Sequence, residues 1–296
     1  MNERINDGKY PVIGLGTYKM TPSQLEIILP TAITLGYRLI DTAQVYRNEQ
    51  AIGDILSKLI AQGKCNRTDL FIQTKIGPAN QGYQKCLASI KQSIADLQVD
   101  YLDCCLIHWP GAAGLDPSDP ANAKLRAESL EALRECQQQG LVRNIGVSNY
   151  CLEHLKAIEA QVDGKLGDLI LVNQFELHPF WPEEPLVAYC KEQGITVQAY
   201  SSLGKGIFTD EVWCQQNAPV LLECSKRHGK SIAQLLLRWA YQKGFALIPK
   251  TASLERLREN VDLYMTCLSV RPECPQKTRI QHQQSNHKEC CTKRSI

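Results

Sequence analysis

Short apolar stretches alternate along the chain with longer segments of helical periodicity. The apolar stretches predict strands at residues 12–17, 38–40, 71–74, 101–107, 142–147, 169–176, 196–200 and 246–248. The segments between them predict helices at residues 24–35, 49–61, 83–97, 123–139, 152–160, 185–193, 220–228, 232–242 and 254–261. This regular alternation of strand and helix predicts an α/β protein with a parallel sheet.

Polar residues follow or end seven of these strands, at intervals that fit one strand and one helix. They are Asp41, Lys75, His108, Ser148, Gln174, Tyr200 and Lys250. Repeated units of this size favour a (β/α)8 TIM barrel over a doubly wound sheet. The strand at residues 102–107 is largely apolar, as expected for a strand that is buried on both faces. We expect one barrel domain over residues 1–264.

Four residues with reactive side chains lie at the ends of three consecutive predicted strands. Asp41 ends the second strand, Tyr46 lies five residues later in the loop, and Lys75 and His108 follow the next two strands. In a parallel barrel these ends meet on one rim. Taken alone, Asp41 could be a helix cap, Lys75 a solvated strand end and His108 a packed loop residue.

Together the four residues fit the reduction of a carbonyl group, which needs a hydride at carbon and a proton at oxygen. Tyrosine has an ordinary pKa of about 10, and a nearby lysine ammonium favours its ionised form. We therefore predict that Tyr46 is the general acid, that Lys75 lowers its pKa, and that Asp41 holds Lys75. His108 would orient the carbonyl oxygen and stabilise its developing charge.

The four residues and their surrounding sequence resemble the catalytic tetrad of the aldo-keto reductases over roughly residues 10–261. The resemblance implies a (β/α)8 barrel, reduction of aldehydes and ketones, and the same four roles. It also implies NADP(H) as the cofactor and a small carbonyl compound as the substrate. Tyr18, Trp109 and Trp181 are candidate walls of the substrate pocket.

The resemblance assigns most cofactor contacts to the second half of the chain. Ser148, Asn149 and Gln174 would bind the nicotinamide carboxamide, and Tyr200 would stack on its ring. A lysine, two hydroxyls and a helix start after the last strand form a potential anion site, and Arg256 adds a planar group that suits a phosphate. Here the resemblance assigns Lys250, Thr251, Ser253 and Arg256 to the 2′-phosphate, and Glu259 and Asn260 to the adenine. The remaining predicted cofactor contacts are Gly16, Thr17, Ser201 and Leu203.

The composition of the chain argues against several other classes of protein. The 296 residues are 44% hydrophobic and 22% charged, as in ordinary globular proteins, and the net charge of +2 does not favour binding to nucleic acid or a membrane. The polar start of the chain does not resemble a signal peptide. The 13 cysteines contain no C-x-x-C motif, so we expect reduced packing cysteines, no metal site and a cytoplasmic protein. We also expect a monomer.

The end of the chain departs from the resemblance. Residues 271–296 are polar, rich in glutamine and basic, and Ile280 and Ile296 are their only aliphatic residues. We expect residues 265–296 to form an atypical, disordered tail. Such an altered end leaves open a nicotinamide-binding regulatory barrel or a catalytically impaired isoform. A Schiff-base aldolase that uses Lys75 is a further alternative.

Overall fold

The computed structural model describes residues 3–263 and begins with a small antiparallel pair, β1 (Arg4–Ile5) and β2 (Tyr10–Pro11). Eight parallel strands follow, each paired with the next along the chain. They are β3 (Gly14–Gly16), β4 (Leu39–Asp41), β5 (Phe71–Ile76), β6 (Cys104–Ile107), β7 (Ile145–Ser148), β8 (Ile170–Glu176), β9 (Thr196–Tyr200) and β10 (Ala246–Leu247). This arrangement confirms the predicted (β/α)8 barrel.

The first and last barrel strands meet at a seam. Ile13 and Leu247 form a parallel bridge, and the backbone N–H of Leu247 donates to the carbonyl of Val12 at 2.7 Å. At the upper end the N–H of Gly16 donates to the carbonyl of Pro249 at 3.2 Å. These bonds close the sheet into a barrel, so residues near the two ends of the described chain become neighbours.

Ten α-helices are present within residues 3–263. They are α1 (Pro22–Thr34), α2 (Glu49–Ala61), α3 (Tyr83–Leu97), α4 (Ala121–Gln138), α5 (Leu152–Glu159), α6 (Glu184–Glu192), α7 (Glu211–Asn217), α8 (Pro219–His228), α9 (Ile232–Gln242) and α10 (Leu254–Val261). Hydroxyl caps fix several starts: Thr21 caps α1 and Ser231 caps α9, each in a reciprocal pair with a glutamine three residues later. Nine of the helices were predicted from periodicity.

Two features of the fold were not predicted. The β1–β2 pair is too short to show a periodic pattern, and α7 has only seven residues. The fourth barrel strand was predicted over residues 101–107, but the ladder begins at Cys104 because Leu102 forms only an isolated bridge to Val142. The predicted disordered tail, residues 265–296, lies outside the described residues.

The core has two parts, one outside and one inside the barrel wall. The large outer cluster fills the space between the strands and the surrounding helices. The inner cluster fills the lower barrel with Tyr10, Leu39, Phe71, Cys104, Leu106, Leu171, Val172, Ala246 and Ile248. Inward-facing residues alternate along each strand, so the next inward positions lie above this apolar floor. No helix in the described part of the chain is long and apolar enough to cross a membrane.

The seam leaves no room for a side chain at Gly16. A Cβ atom there would lie 2.6 Å from the carbonyl oxygen of Ile248. We expect Gly16→Ala to lower the free energy of unfolding by about 1–3 kcal/mol in urea denaturation, because the two end strands would have to separate. Gly111→Ala is the control, since nothing lies within 4 Å of its Cβ position. Equal stability of the two variants would contradict the close contact at the seam.

Candidate active site

Lys75 and Asp41 form a buried ion pair at the upper end of the barrel interior. Asp41 ends β4, and Lys75 lies near the end of β5 with no exposed surface. The Lys75 Nζ atom lies 2.9 Å from Oδ1 and 2.8 Å from Oδ2 of Asp41, and it also donates to the carbonyl of Thr42 at 2.8 Å. These three acceptors fix the position of the ammonium group.

Tyr46 comes from the loop above this pair. A short 3₁₀ helix, Gln44–Tyr46, carries it, and Arg47 ends that helix in a left-handed conformation with φ of 55°. The Tyr46 hydroxyl lies 3.4 Å from Lys75 Nζ. The buried side chain of Asn48 supports the loop, because it accepts a bond from Thr42 and donates to the carbonyl of Thr17. Asn48 was not predicted as part of the site.

His108 follows β6 and completes the group of four residues that the sequence placed on one rim. Its ring lies edge-on to the ring of Tyr46, with centroids 5.8 Å apart. The imidazole is 9% exposed, and its Nδ1 atom is buried without a hydrogen-bond partner. Burial, aided by the charge of Lys75, lowers the pKa of His108 to about 3. The ring is therefore neutral at physiological pH.

The ionisation of Tyr46 differs from the prediction. Burial raises its pKa more than the ammonium of Lys75 lowers it, so the pKa lies above its ordinary value. Lys75 lowers the pKa of Tyr46 as predicted, but the opposing effect of burial is larger, and the sequence did not show how completely this phenol is buried. Lys75 is also buried, but Asp41 and Tyr46 outweigh that effect and its pKa is raised. In this state the phenol carries its proton and the lysine is charged.

Three further polar side chains reach Asp41 or its neighbours from inside the barrel. Gln73 and Gln174 each donate an amide N–H to Asp41 Oδ1, at 2.7 and 2.8 Å. Gln198 accepts from both of these amides, at 2.8 and 2.7 Å. Gln73 and Gln198 were not predicted, although each lies two residues before a predicted site residue and therefore on the same strand face.

The residues predicted to bind nicotinamide also meet, at the ends of β7 to β9. The hydroxyl of Tyr200 donates to Oδ1 of Asn149 at 2.7 Å. The amide of Asn149 donates to the carbonyl of His108 at 2.9 Å and to the hydroxyl of Ser148 at 3.1 Å. Gln174 pairs with Ser148 in the β7–β8 register. Asn149 therefore links this group directly to the tetrad.

The predicted phosphate group lies at the start of α10, after β10. Ser253 caps the helix through the backbone N–H of Arg256, and the N–H of Ser253 donates to the hydroxyl of Thr251 at 3.1 Å. Lys250 and Arg256 are exposed. Glu259 is partly buried and its carbonyl accepts from Gln234, while Asn260 is buried. Two cations thus stand beside a capped helix start, where an anion is favoured.

The three predicted substrate-pocket residues and Thr17 differ in exposure and in the residues they contact. Tyr18 is 53% exposed, and its ring packs edge-on against Tyr46 at 5.0 Å. Trp109 stacks beside His108 with centroids 6.2 Å apart, whereas Trp181 lies in the turn after β8. Thr17 is buried and its hydroxyl donates to the carbonyl of Asp41.

Three predicted cofactor residues lie on loops or at the seam. Ser201 has a positive φ of 50°, and Leu203 is half-buried between two apolar clusters. Gly16 lies at the seam. Within residues 3–263, no three His, Cys, Asp or Glu side chains are grouped to hold a metal ion.

Comparisons with known proteins agree with this geometry. Residues 12–270 match the model of the aldo/keto reductase family. The oxidoreductase YtbE of Bacillus subtilis is 35% identical over 260 residues, which are 88% of this chain and 85% of that protein. Methylglyoxal reductase DkgB of Yersinia pestis is 36% identical over 88% of this chain and 89% of its own. The solved structure of a Bombyx mori aldo-keto reductase in complex with NADP has a TM-score of 0.76 and 30% identity, and covers 90% of this chain and 88% of that one.

The low pKa of His108 makes a specific prediction for stability. Between pH about 6.5 and 3 the unfolded chain binds a proton at this residue that the folded protein does not bind. The contribution of neutral His108 is therefore present above pH about 6.5 and is lost progressively as the pH falls. We expect thermal unfolding to show a steeper loss of stability between pH 7 and 4 for the native protein than for His108→Gln.

The half-buried histidine His154 does not disturb this comparison. Burial lowers the pKa of His154 to about 4, and this group titrates in both proteins. Parallel curves for the native protein and the variant would show that His108 is not held neutral.

Proposed function

The chain belongs to the aldo/keto reductase family, and we propose that it reduces aldehydes and ketones to alcohols with NADPH, using Tyr46 as the general acid. The family implies carbonyl reduction with a nicotinamide cofactor. The observation that carries the proposal is the position of the Lys75 ammonium, held by Asp41 and 3.4 Å from the Tyr46 hydroxyl. A protonated phenol beside a fixed cation is suited to releasing its proton, because the cation stabilises the phenolate that remains.

The reaction needs two hydrogen-bond donors at the carbonyl oxygen. The rings of Tyr46 and His108 make a T-shaped contact with their centroids 5.8 Å apart, so one oxygen atom beside both can accept from the phenol and from the neutral imidazole. Bound NADPH supplies the hydride to the carbonyl carbon. The Tyr46 proton passes to the oxygen to complete the alcohol, and Lys75 stabilises the resulting phenolate until solvent returns a proton.

The second half of the barrel has groups that suit the cofactor. Both hydrogen bonds of the Gln174 side chain within the described chain use its amide nitrogen, so its carbonyl oxygen can accept from a carboxamide. Ser148 and Asn149 lie beside it, and the half-buried ring of Tyr200 adjoins Asn149. Two exposed cations, Lys250 and Arg256, suit the additional phosphate that distinguishes NADPH from NADH.

The alternatives fit the geometry less well. A Schiff-base aldolase needs a neutral lysine amine, whereas Lys75 is buried, paired with Asp41 and has a raised pKa. A regulatory barrel would not require the proton-donating arrangement of Tyr46, Lys75 and His108. The Yersinia pestis relative is named a methylglyoxal reductase, so a small aldehyde is the first substrate to test. A cytoplasmic location and a monomeric state stay predictions from the sequence.

Replacing Tyr46 tests the proposed acid. We expect Tyr46→Phe to lower kcat for aldehyde reduction by about 10²–10⁴-fold, because only the transferable proton is lost. NADPH binding, measured by fluorescence titration, should change little. Tyr18→Phe is the control, since it removes a neighbouring phenol oxygen and keeps the ring. Folded native protein that binds NADPH but reduces no aldehyde would favour the regulatory barrel instead.

Replacing Arg256 tests the choice of cofactor. We expect Arg256→Gln to raise the Kd for NADPH about 10-fold or more and to leave the Kd for NADH nearly unchanged, because one charge-assisted bond to the extra phosphate is lost. Arg258→Gln removes a cation from the same helix, and Arg258 bonds to the carbonyl of Leu254, so it is the matched control. An equal loss in both variants would mean that the general positive charge of α10 matters and Arg256 does not contact the phosphate.

A further inference from the structure

A chain of buried polar side chains runs from the floor of the barrel to Asp41. The hydroxyl of Tyr10, on β2, donates to the side-chain oxygen of Gln73, and the amide nitrogen of Gln73 donates to Asp41. Gln198 lies across the barrel and accepts from Gln73 and from Gln174. Tyr10, Gln73 and Gln198 have no exposed surface, and Asp41 and Gln174 have 2% each.

The chemistry of the groups fixes the direction of each bond in this chain. An ionised carboxylate can only accept, so the amide nitrogens of Gln73 and Gln174 must face Asp41. The oxygen of Gln73 then faces Tyr10, which must donate. Burial raises the pKa of Tyr10 well above its ordinary value, so its proton is present. A reversal of any one amide would place two donors or two acceptors against each other.

These residues stand where the packing of the barrel favours apolar side chains. Gln73 lies two residues after Phe71 on β5, directly above the apolar floor, and its other strand neighbour on the same face is Lys75. A buried amide destabilises the fold unless every hydrogen bond is formed. Apolar residues of similar size would fill the same space without that requirement. The bonds of Gln73 instead converge on the carboxylate that holds Lys75.

We propose that Gln73 and Gln198 are positioning residues for the reduction proposed above, holding the carboxylate of Asp41 in the orientation and charge distribution that Lys75 and Tyr46 need. Gln73 and Gln174 together give Oδ1 two donors besides Lys75. These two bonds take up part of the negative charge of Asp41, both of whose oxygens contact Lys75. Gln198 holds the second proton of each amide and so prevents either glutamine from rotating.

This arrangement has a predictable effect on the acidity of Tyr46. The charged and titratable groups around Tyr46 and Asp41 are Lys75, His108, Tyr18, Tyr10 and Cys104. Lys75 favours the phenolate of Tyr46, and the charge of Asp41 opposes it. If the amide donor of Gln73 is removed, the charge on Asp41 is less dispersed and neutralises Lys75 more fully. The phenolate is then less favoured and the acid is weaker.

The test compares Gln73→Met, Tyr10→Phe and Leu106→Val. Gln73→Met removes the donor to Asp41 and keeps the length of the side chain. Tyr10→Phe leaves both amide donors in place and removes only the polarising hydroxyl. Leu106→Val shortens an apolar residue of the same inner cluster, so it lowers stability without touching the polar chain. The pH dependence of kcat and KM is measured with methylglyoxal and NADPH for each folded protein.

We expect Gln73→Met to lower kcat at neutral pH by about 3–10-fold with little change in KM, and to move the alkaline limit of kcat upward by at least ~0.5 pH unit. Tyr10→Phe should move the alkaline limit of kcat in the same direction by a smaller amount, and Leu106→Val should leave that limit unchanged. If Gln73→Met has the same pH profile as the native protein, or if Leu106→Val shifts it equally, the positioning role is overturned. If Gln73→Met does not fold, Tyr10→Phe decides the question alone.

A second measurement does not depend on turnover. Tyrosines labelled at Cζ with ¹³C report their own ionisation by NMR, and comparison with Tyr46→Phe assigns the signal of Tyr46. We expect that signal to titrate at higher pH in Gln73→Met and Tyr10→Phe than in the native protein, while it is unchanged in Leu106→Val. A shift in NMR without turnover by the native protein would refute the proposed function and retain the positioning role. Turnover by the native protein without any change in the titration of Tyr46 in the variants would support the proposed function and refute the positioning role.

Discussion

The buried ion pair of Lys75 and Asp41 is the interaction on which the rest of the site depends. Removing two charges from water is costly, and the pair is tolerated only if all remaining donors and acceptors are bonded. Here β4 and β5 provide the two charged side chains. The carbonyl of Thr42 accepts a further hydrogen bond from the lysine, and glutamines from β5 and β8 donate to the carboxylate. The pair therefore requires a closed barrel, because Asp41 on β4 is bonded by a glutamine from β8, which is not a neighbouring strand in the sheet.

Hydrogen bonds to buried polar groups also connect the two halves of the site. Strands β4 to β6 carry the tetrad, whereas β7 to β9 carry the residues assigned to nicotinamide. Asn149 donates to the carbonyl of His108, and Gln174 donates to Asp41. Each half thus fixes the orientation of a polar group in the other. The residues proposed to hold the nicotinamide and the proposed proton donor are therefore connected through side chains that belong to the barrel itself.

The sequence was sufficient to predict the barrel and to place the tetrad on one rim, because both depend on strand periodicity and on which residue ends each strand. It did not single out Gln73 or Gln198. Their spacing of two residues from Lys75 and Tyr200 puts them on the same strand face as those residues, but it does not show that their side chains reach Asp41 and its neighbours from different strands. The sequence also did not predict that the pKa of Tyr46 is raised overall. This rise is due to burial, and the extent of burial is set only when distant strands pack together. Short elements such as α7 and the β1–β2 pair have too few residues to define a period.

The seam between β3 and β10 has a consequence for how the protein forms. Ile13 and Leu247 are neighbours in space but are separated by nearly the whole described chain, so their pairing closes a very long loop and has high contact order. During synthesis the ribosome releases Leu247 only after almost all other barrel residues have emerged. Until then the sheet has two open edges, and Tyr10 has no closed interior to enter. Growing chains are thus exposed to edge-to-edge association until the last strand arrives.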